Sequence, residues 1–557
     1  MRPASILATI AGYVKMCRGF RRYAVAGAAG AASVLAMPPF FAAPTLFVTL
    51  PVLVWLVAPE HVTTDAGTPR FQLSRALLLR GFAAGWWFGF GYFFAGLYWI
   101  GSAFLVQAEV FAWLLPFAVT AMPAGLALFV AVCVAPVACL QGSPVFRIVA
   151  LALAISAAEY LRGHMFTGFP WNTIGYALTN PLSFMQVSAV IGIYGLTLIT
   201  ILVFATPAVI WAERSVRGAA RDRRDLLFVG GLTVVPLLAI WLYGLWVLSL
   251  QRPGALSGVK VRIVQPSIRQ SDKFVPELRR EIFERHVQLS QTGPRGAAPG
   301  FEGITHVIWP EAAMPFLGLR SPEVAKRIAE VFPDDVKLIA GTLRLDGPLV
   351  RDGRRLKVYN SSFAMDGAGA LLSTYDKVHL VPFGEYLPFQ NVLEAIGLEQ
   401  LTRLRGGFAV GRAPRPNFNV PLLPEIGMLI CYEIVFPNEI VTASGRPGLL
   451  INLTNDAWFG HSTGPYQHFH QARVRAVEQG LPLIRVGNNG ISAIIDPRGR
   501  IWAQLALDQS AAIDSAVPRS QPPTVYTEKG DLIFFLLWSI LCFIIIIKSV
   551  RNSRQRY

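Results

Sequence analysis

Leu429–Asn438 reads LICYEIVFPN, an apolar run that stops at a cysteine with Tyr432 and Glu433 directly behind it. With Ile426–Met428 in front, the stretch has the length, the apolar content and the abrupt polar end of a buried β-strand. In a sheet of such strands, side chains at the strand ends commonly build the active site. Whether this cysteine is chemistry or packing depends on what surrounds it.

Working outward, similar runs recur from Gly258 to Lys529: VKVRIVQP, ITHVIWPEAA, VKLIAGTL, YNSSFAMD, GLLINLTND, PLIRVGN and SAIIDPRGRI. Between them lie REIFERHVQLS, EVAKRIAEVF and HFHQARVRAVEQG, whose apolar residues recur at helical spacing. The alternation predicts an α/β domain over residues 258–525.

The rest of the chain has a different character. The 557 residues are 53% hydrophobic and only 15% charged, far from a typical soluble composition. A helix of about 20 apolar residues crosses the hydrocarbon layer. Candidate spans are Ala24–Phe41, Pro44–Ala58, Gly81–Phe104, Phe111–Leu140, Ile148–Leu161, Met185–Trp211 and Leu226–Leu248. They form an N-terminal membrane domain over 1–250, and LIFFLLWSILCFIIII supplies a last span within 531–557.

Ala24–Ala58 is one apolar region broken by Pro38, Pro39 and Pro44, and charge decides how it is read. Lys15, Arg18, Arg21 and Arg22 precede it and Arg70, Arg75 and Arg80 follow it, so the positive-inside rule favours a hairpin. The same rule puts Arg147, then Arg214, Arg217, Arg221, Arg223 and Arg224, then Lys548, Arg551, Arg554 and Arg556 in the cytoplasm. Eight spans satisfy every flank, and the N-terminus reads as an uncleaved anchor. With Arg2 added, and Glu60, Asp65, Glu213, Asp222 and Asp225 set against them, these flanks hold most of the +16 net charge. The basic balance is therefore a topology signal, and nucleic-acid binding, which needs a basic patch on a folded domain, is not expected.

The α/β region follows an outward-going span and is expected to face the oxidising, extracytoplasmic side. Paired cysteines would form disulfides there, but Cys17, Cys133, Cys139 and Cys542 all lie in or beside the spans. Cys431 is expected to remain a thiol or to pair with another molecule.

Two more chemically capable residues fall at strand ends: Glu311 in VIWPE and Lys377 in YDKVHLVPFGEYLPF. A thiol is mostly protonated at neutral pH and needs a base or a nearby cation to become a strong nucleophile. Taken singly, Lys377 reads as a solvated lysine, Glu311 as an acid after proline at a helix start, and Cys431 as a small buried residue. The combination shifts the balance. Glu, Lys and Cys in this chain order, with Cys at a sharp strand end, resemble the triad of the nitrilase, or carbon-nitrogen hydrolase, superfamily.

Within that superfamily, WPEAAMPF, YDKVHLVPFGEYLPF, ICYEIVFPNEI and the long run from Asn452 to Gly499 resemble the apolipoprotein N-acyltransferase family. The loop EYLRGHMFTGFPWNTIGYAL, Glu159–Leu178, is similar to a characteristic loop of the family, and the likeness covers nearly the whole chain. The resemblance implies seven spans, an outer nitrilase-like αββα sandwich and one final span. It implies Glu311, Lys377 and Cys431 as catalytic residues, Glu385, Tyr432 and Glu433 as supporting ones, and Asn360 as site-lining. It further implies acyl transfer from a phospholipid donor, through a Cys thioester, to the α-amino group of an S-diacylglyceryl-cysteine on an apolipoprotein acceptor. The setting is the periplasmic side of a bacterial inner membrane, and no cofactor is needed. Phe274 stands where the family often has Trp, so an aromatic wall is kept while any role for an indole N–H is placed in doubt.

Several features carry a functional and a plain reading together. FQNVLEAIGLEQL sets Phe389, Val392, Leu393, Ile396 and Leu401 near one helical face, as a lipid-contacting lid or as a helix packed on its own domain. In NDAWFG, Trp458 and Phe459 are read as lining the substrate site; the plain reading closes the core. His461, His468 and His470 lie close in sequence, but without acidic or Cys ligands at familiar spacing no metal site is expected. Glu159 and Arg162, one helical turn apart near the WN pair Trp171–Asn172, are read as a mutual ion pair with a headgroup-holding role as the alternative. A monomer is expected. The competing functions are a membrane-tethered amidase using the same triad and, less well supported by the sparse charge in the spans, a transporter.

Overall fold

The computed structural model describes residues 10–554 apart from 15, 59–69, 142–143, 210–218, 295–298, 348–356, 396, 399, 403–406, 438 and 441. Arg2, Lys15, Glu60, Asp65, Glu213, Arg214, Arg217 and Arg556 of the charged flanks, and Ile396 of the candidate lid, lie outside the described residues. The chain forms two compact units: Met1–Tyr98, Pro116–Leu250 and Val525–Tyr557 make one, and Trp99–Leu115 with Gln251–Thr524 makes the other.

The first unit is helical. Among the described residues, four apolar stretches, Ala108–Cys139, Pro144–His164, Ser188–Val209 and Val229–Ser249, are long and apolar enough to cross a membrane, the start of the first, Ala108–Leu115, being grouped with the second unit. The broken N-terminal region yields two helices, Phe20–Ser33 and Leu46–Val57, running in opposite directions: Arg22 donates to the Leu56 carbonyl at one end and Ser33 to Thr49 at the other, 2.8 Å. Phe20–Ser33 also lies against Arg75–Gly96 with main chain on main chain, since a Cβ at Gly91 would overlap the Gly27 carbonyl. The C-terminal helix Leu532–Arg554 returns to this unit, where Trp538 Nε1 donates to the Leu153 carbonyl, 3.0 Å.

Glu159 and Arg162 are both buried, yet neither uses the other as its hydrogen-bond partner. Glu159 accepts from the Ile174 N–H and the Thr197 hydroxyl, 2.8 Å each, while Arg162 donates to the Trp171 carbonyl at 2.9 Å and to that of Phe169. The simple ion pair is thus replaced by two clasps on the 165–178 loop. Loop backbone without a regular ladder must find partners elsewhere when buried, and these side chains provide them.

The second unit is an αββα sandwich. Its strands are β1 (Ala255–Gln265), β2 (His306–Ile308), β3 (Lys337–Asp346), β4 (Lys357–Asp366), β5 (Leu371–Asp376), β6 (Ile426–Ile430), β7 (Leu449–Thr454), β8 (Leu483–Gly487), β9 (Ser492–Ile495), β10 (Ile501–Leu505) and β11 (Ala511–Pro518). One sheet runs β11-β1-β2-β3-β4-β5 and the other β10-β9-β8-β7-β6. Alternation puts Ile308 and Ile339 in the core between the sheets with Met428, Ile430, Ile451 and Leu453. Their neighbours Val307, Leu338 and Ala340 face the other way, onto the helices Arg279–Thr292 and Pro322–Val331. The helix Gly464–Gln479 carries the layer beyond the other sheet.

Trp99–Leu115, read from the sequence as parts of two spans and their junction, belongs to this unit. Trp99 Nε1 donates to Gln467 Oε1, 3.1 Å, and its ring lies 4.5 Å from that of Phe459.

Candidate active site

The parallel pairs β1-β2-β3 and β6-β7-β8 each send their C-terminal ends toward loops that carry the chemistry. Glu311 follows β2 through Trp309 and Pro310. The Trp309 N–H is held by the Ile339 carbonyl at 2.9 Å and the Gly341 N–H by the Pro310 carbonyl at 3.1 Å. Gly341 permits this crossing, since a Cβ there would overlap the main chain of Glu311 and Ala312. Asn360 sits in β4, and the Lys377 N–H, just past β5, donates to the Asn360 carbonyl at 2.9 Å. Cys431 directly follows β6 and opens the 3₁₀ segment Cys431–Val435, with φ +51°, a left-handed backbone that non-glycine residues rarely adopt.

These elements bring Glu311, Lys377, Glu385 and Asn360 together in a buried cluster. Lys377 Nζ lies 2.9 Å from Glu385 Oε2 and 3.8 Å from Glu311 Oε1. Asn360 Nδ2 bridges the two carboxylates, donating at 2.8 Å to each. A Val381 N–H holds the remaining oxygen of Glu385, also at 2.8 Å. Lys377 is 1% exposed and Glu311 and Cys431 are each 7% exposed, so the charges interact with little solvent screening.

Burial pushes Glu311 above the ordinary carboxylate range, Lys377 pulls it back and Glu385 pushes it up further. Against its own burial, Lys377 is held firmly protonated by Glu385 and Glu311. Burial raises the Cys431 thiol to about 12, with Glu311 adding to the rise and Lys377 opposing it. The resting state is therefore a thiol beside a basic carboxylate. A thiol raised in this way becomes a strong nucleophile only where a neighbouring base can take its proton.

Glu433 has a different environment. It accepts from Tyr375 Oη, from the N–H groups of Val378, His379 and Ile430, and from Arg415 Nη1, at 2.7 to 3.0 Å. Burial notwithstanding, Arg415 and these donors hold its carboxyl below the ordinary value. It ties the loop after Lys377 to the end of β6. Of the two supporting glutamates it is Glu385, 2.9 Å from Nζ, that holds Lys377. The Tyr432 ring packs against Phe436 and His379.

Around this centre, Phe274 is 41% exposed at the end of the short helix Gln270–Lys273, and Trp458 is half-buried. Phe459 meets the rings of Trp99 and His468 edge to face. The three histidines go separate ways: His461 is exposed beside Asp508, His468 is buried on Asp456, and His470 is buried on the same helix. Phe389 and Val392 are 85% and 63% exposed.

Sequence reasoning missed Lys273, Arg415 and Asn452. Lys273, fully buried, donates to the Glu311 carbonyl at 2.8 Å, and its burial lowers it to about 8. Its neighbour Phe274 was the only signal. His468 was weighed solely as a metal ligand.

Residues 29–206 match the family described as "Apolipoprotein N-acyltransferase N-terminal domain", and residues 260–521 match "Carbon-nitrogen hydrolase". An apolipoprotein N-acyltransferase of Rhodopseudomonas palustris is 43% identical over 552 residues, 99% of each chain. That of Bradyrhizobium diazoefficiens is 43% identical over 514 residues, 92% of each, and that of Brucella melitensis 42% over 521 residues, 93% of this chain and 94% of that one. Two matched domains in one chain and identity sustained from end to end lead to one conclusion: the chain belongs to the apolipoprotein N-acyltransferase family.

Proposed function

We propose that Cys431 carries an acyl group between two lipid substrates, with Glu311 moving the protons. In the first half, Sγ attacks an ester carbonyl of a phospholipid as its proton passes to the Glu311 carboxylate. The tetrahedral oxyanion is met by the Lys377 ammonium and the Tyr432 N–H. Collapse breaks the ester C–O bond, the departing lysophospholipid oxygen takes the proton from Glu311, and a thioester is left on Cys431. In the second half, the α-amino group of an S-diacylglyceryl-cysteine attacks the thioester. Glu311 accepts the amine proton, and the sulfur leaves and recovers a proton from Glu311. The amide product departs with the enzyme restored.

The observation that carries this reading is the buried cluster in which Glu311, held by Asn360, stands 3.8 Å from the Lys377 ammonium, with the charges of both felt by the Cys431 thiol. Sulfur suits the task because a thioester is readily attacked by an amine. Placing the site at the periplasmic face of an inner membrane, with seven helices before the α/β domain and one after it, agrees with the basic flanks. It also avoids extracting an acyl chain from the bilayer, at about 0.8 kcal/mol per CH₂. Phe389 and Val392 offer exposed apolar surface to such chains, and Phe274, Trp458 and Phe459 supply aromatic walls.

The test is mass spectrometry of the purified, full-length protein incubated with phospholipid. An acyl adduct on Cys431 that hydroxylamine removes and a diacylglyceryl lipopeptide discharges is expected. Release of free fatty acid to water, with the lipopeptide left unmodified, would instead identify an amidase-like hydrolase.

A further inference from the structure

Behind Cys431 lies a second buried polar group that the acyl-transfer steps do not use. The main-chain carbonyl of Cys431 receives His468 Nε2 at 3.2 Å and Asn452 Nδ2 at 3.3 Å. Facing a carbonyl, Nε2 must carry a hydrogen. Asn452 also donates to the Leu429 carbonyl at 3.2 Å, so one amide grips the strand on both sides of Ile430. Both donors are braced. Asp456 Oδ1 lies 2.8 Å and Arg485 Nη2 3.0 Å from His468 Nδ1, while Arg485 also bonds Asp456 Oδ2 at 2.7 Å and reaches Asn452 Oδ1. All four side chains are 0% exposed.

Two buried donors on one carbonyl, each braced by further buried charged groups, are more than packing alone requires. A left-handed backbone at a residue other than glycine persists only where its surroundings over-determine it, and Cys431 is such a residue. Peptide planarity gives the clamp its reach. The Cys431 carbonyl and the Tyr432 N–H belong to one rigid plane and point in opposite directions, so fixing the oxygen from behind fixes the direction of the N–H in front. Hydrogen bonds accepted by the carbonyl also polarise the peptide and strengthen that N–H as a donor.

We propose that His468 and Asn452, braced by Asp456 and Arg485, are positioning residues that aim the Tyr432 N–H at the oxyanion through the Cys431–Tyr432 peptide plane. The inference rests on the reading that this N–H meets the oxyanion. It assigns the NDAWFG aspartate and the histidine of the following helix to the nucleophile.

The experiment compares two reactions of Cys431 in the full-length protein: alkylation by iodoacetamide, which passes through no oxyanion, and acylation by a palmitoyl phospholipid, which does. His468→Leu is expected to slow acylation about 10²-fold, the usual cost of a small misplacement of a catalytic group, while alkylation and KM change little. His468→Gln, which can turn an N–H to the same carbonyl, is expected to recover much of the loss, and Asn452→Leu to repeat it. Equal acylation by His468→Leu and wild type would overturn the inference, as would acylation and alkylation falling together in both His468 variants, the mark of a merely structural role. A wild type that alkylates but forms no acyl adduct would instead remove the underlying function, and the inference with it.

Discussion

Two carboxylates flank the proposed nucleophile, Cys431, and their surroundings differ in kind. On one side Glu311 shares one amide donor with Glu385, stands 3.8 Å from an ammonium and is pushed upward by burial. On the other, Glu433 accepts from three main-chain N–H groups, a phenol and a guanidinium, and is held low. Both are acidic, both are buried and both were singled out from the sequence. The contrast shows that a carboxylate starved of donors is poised to take a proton, whereas one saturated with donors serves as a rivet.

Exchanging charge for amide at each position separates the two roles most sharply. Glu311→Gln is expected to reduce Cys431 acylation about 10²- to 10⁴-fold, followed by mass spectrometry over time, with little loss of melting temperature. Glu433→Gln should act chiefly on stability, because it removes the nearer carboxylate partner of the buried Arg415 guanidinium and leaves Glu439 at 3.5 Å; loss of one partner of a buried pair costs up to about 3 to 5 kcal/mol, read by denaturant or thermal unfolding. Normal acylation in Glu311→Gln, or unaltered stability in Glu433→Gln, would erase the distinction.

Titration sharpens it further, because the two groups have opposite signs. Glu433, lowered in the folded protein, contributes stability that is present above the unfolded carboxylate pKa and lost as pH falls through its folded value. Glu311, raised in the folded protein, favours the fold when protonated, and that contribution is lost as pH climbs through its raised value. As a base it must be ionised, so the acylation rate is expected to rise with pH through a midpoint above the ordinary glutamate value. Iodoacetamide alkylation of Cys431 should keep increasing toward the thiol's value of about 12. An acylation midpoint at the ordinary value would contradict the role of burial.

Smaller effects test the periphery of the Glu311 side. Asn360→Ala removes the bridge between Glu311 and Glu385 and is expected to reduce acylation less than Glu311→Gln does, with the pH midpoint moving upward as the carboxylate loses its donor. Phe274→Trp keeps an aromatic wall at a partly exposed position and is expected to leave acylation and stability as they are, judged by the same adduct measurement and unfolding curve.

The α/β fold was legible because strand and helix periods are local. Ile308 and Ile339 alternate with Val307 and Leu338 in the chain as they do between the two cores. The candidate triad could be singled out because Glu311 and Cys431 close apolar runs and Lys377 stands just past a strand. Other features were not legible: Trp99 meets Gln467 and Phe459, hundreds of positions away, and Trp99–Leu115 groups with the α/β unit, a link that no local period encodes. Glu159 and Arg162 have ion-pair spacing, yet a buried loop with unmet main-chain groups claims them both.

From residue order alone came the class of chain, apolar helices together with an α/β sandwich, and the three residue types proposed to do the chemistry, since hydrophobic period and strand-end position are properties of neighbours. Which carboxylate holds Lys377, which one is poised as a base and what stands behind Cys431 were decided only in three dimensions. Those outcomes depend on burial and on donors such as Asn360, Arg415 and His468, drawn from distant segments, and desolvation and hydrogen bonding have no counterpart in sequence spacing.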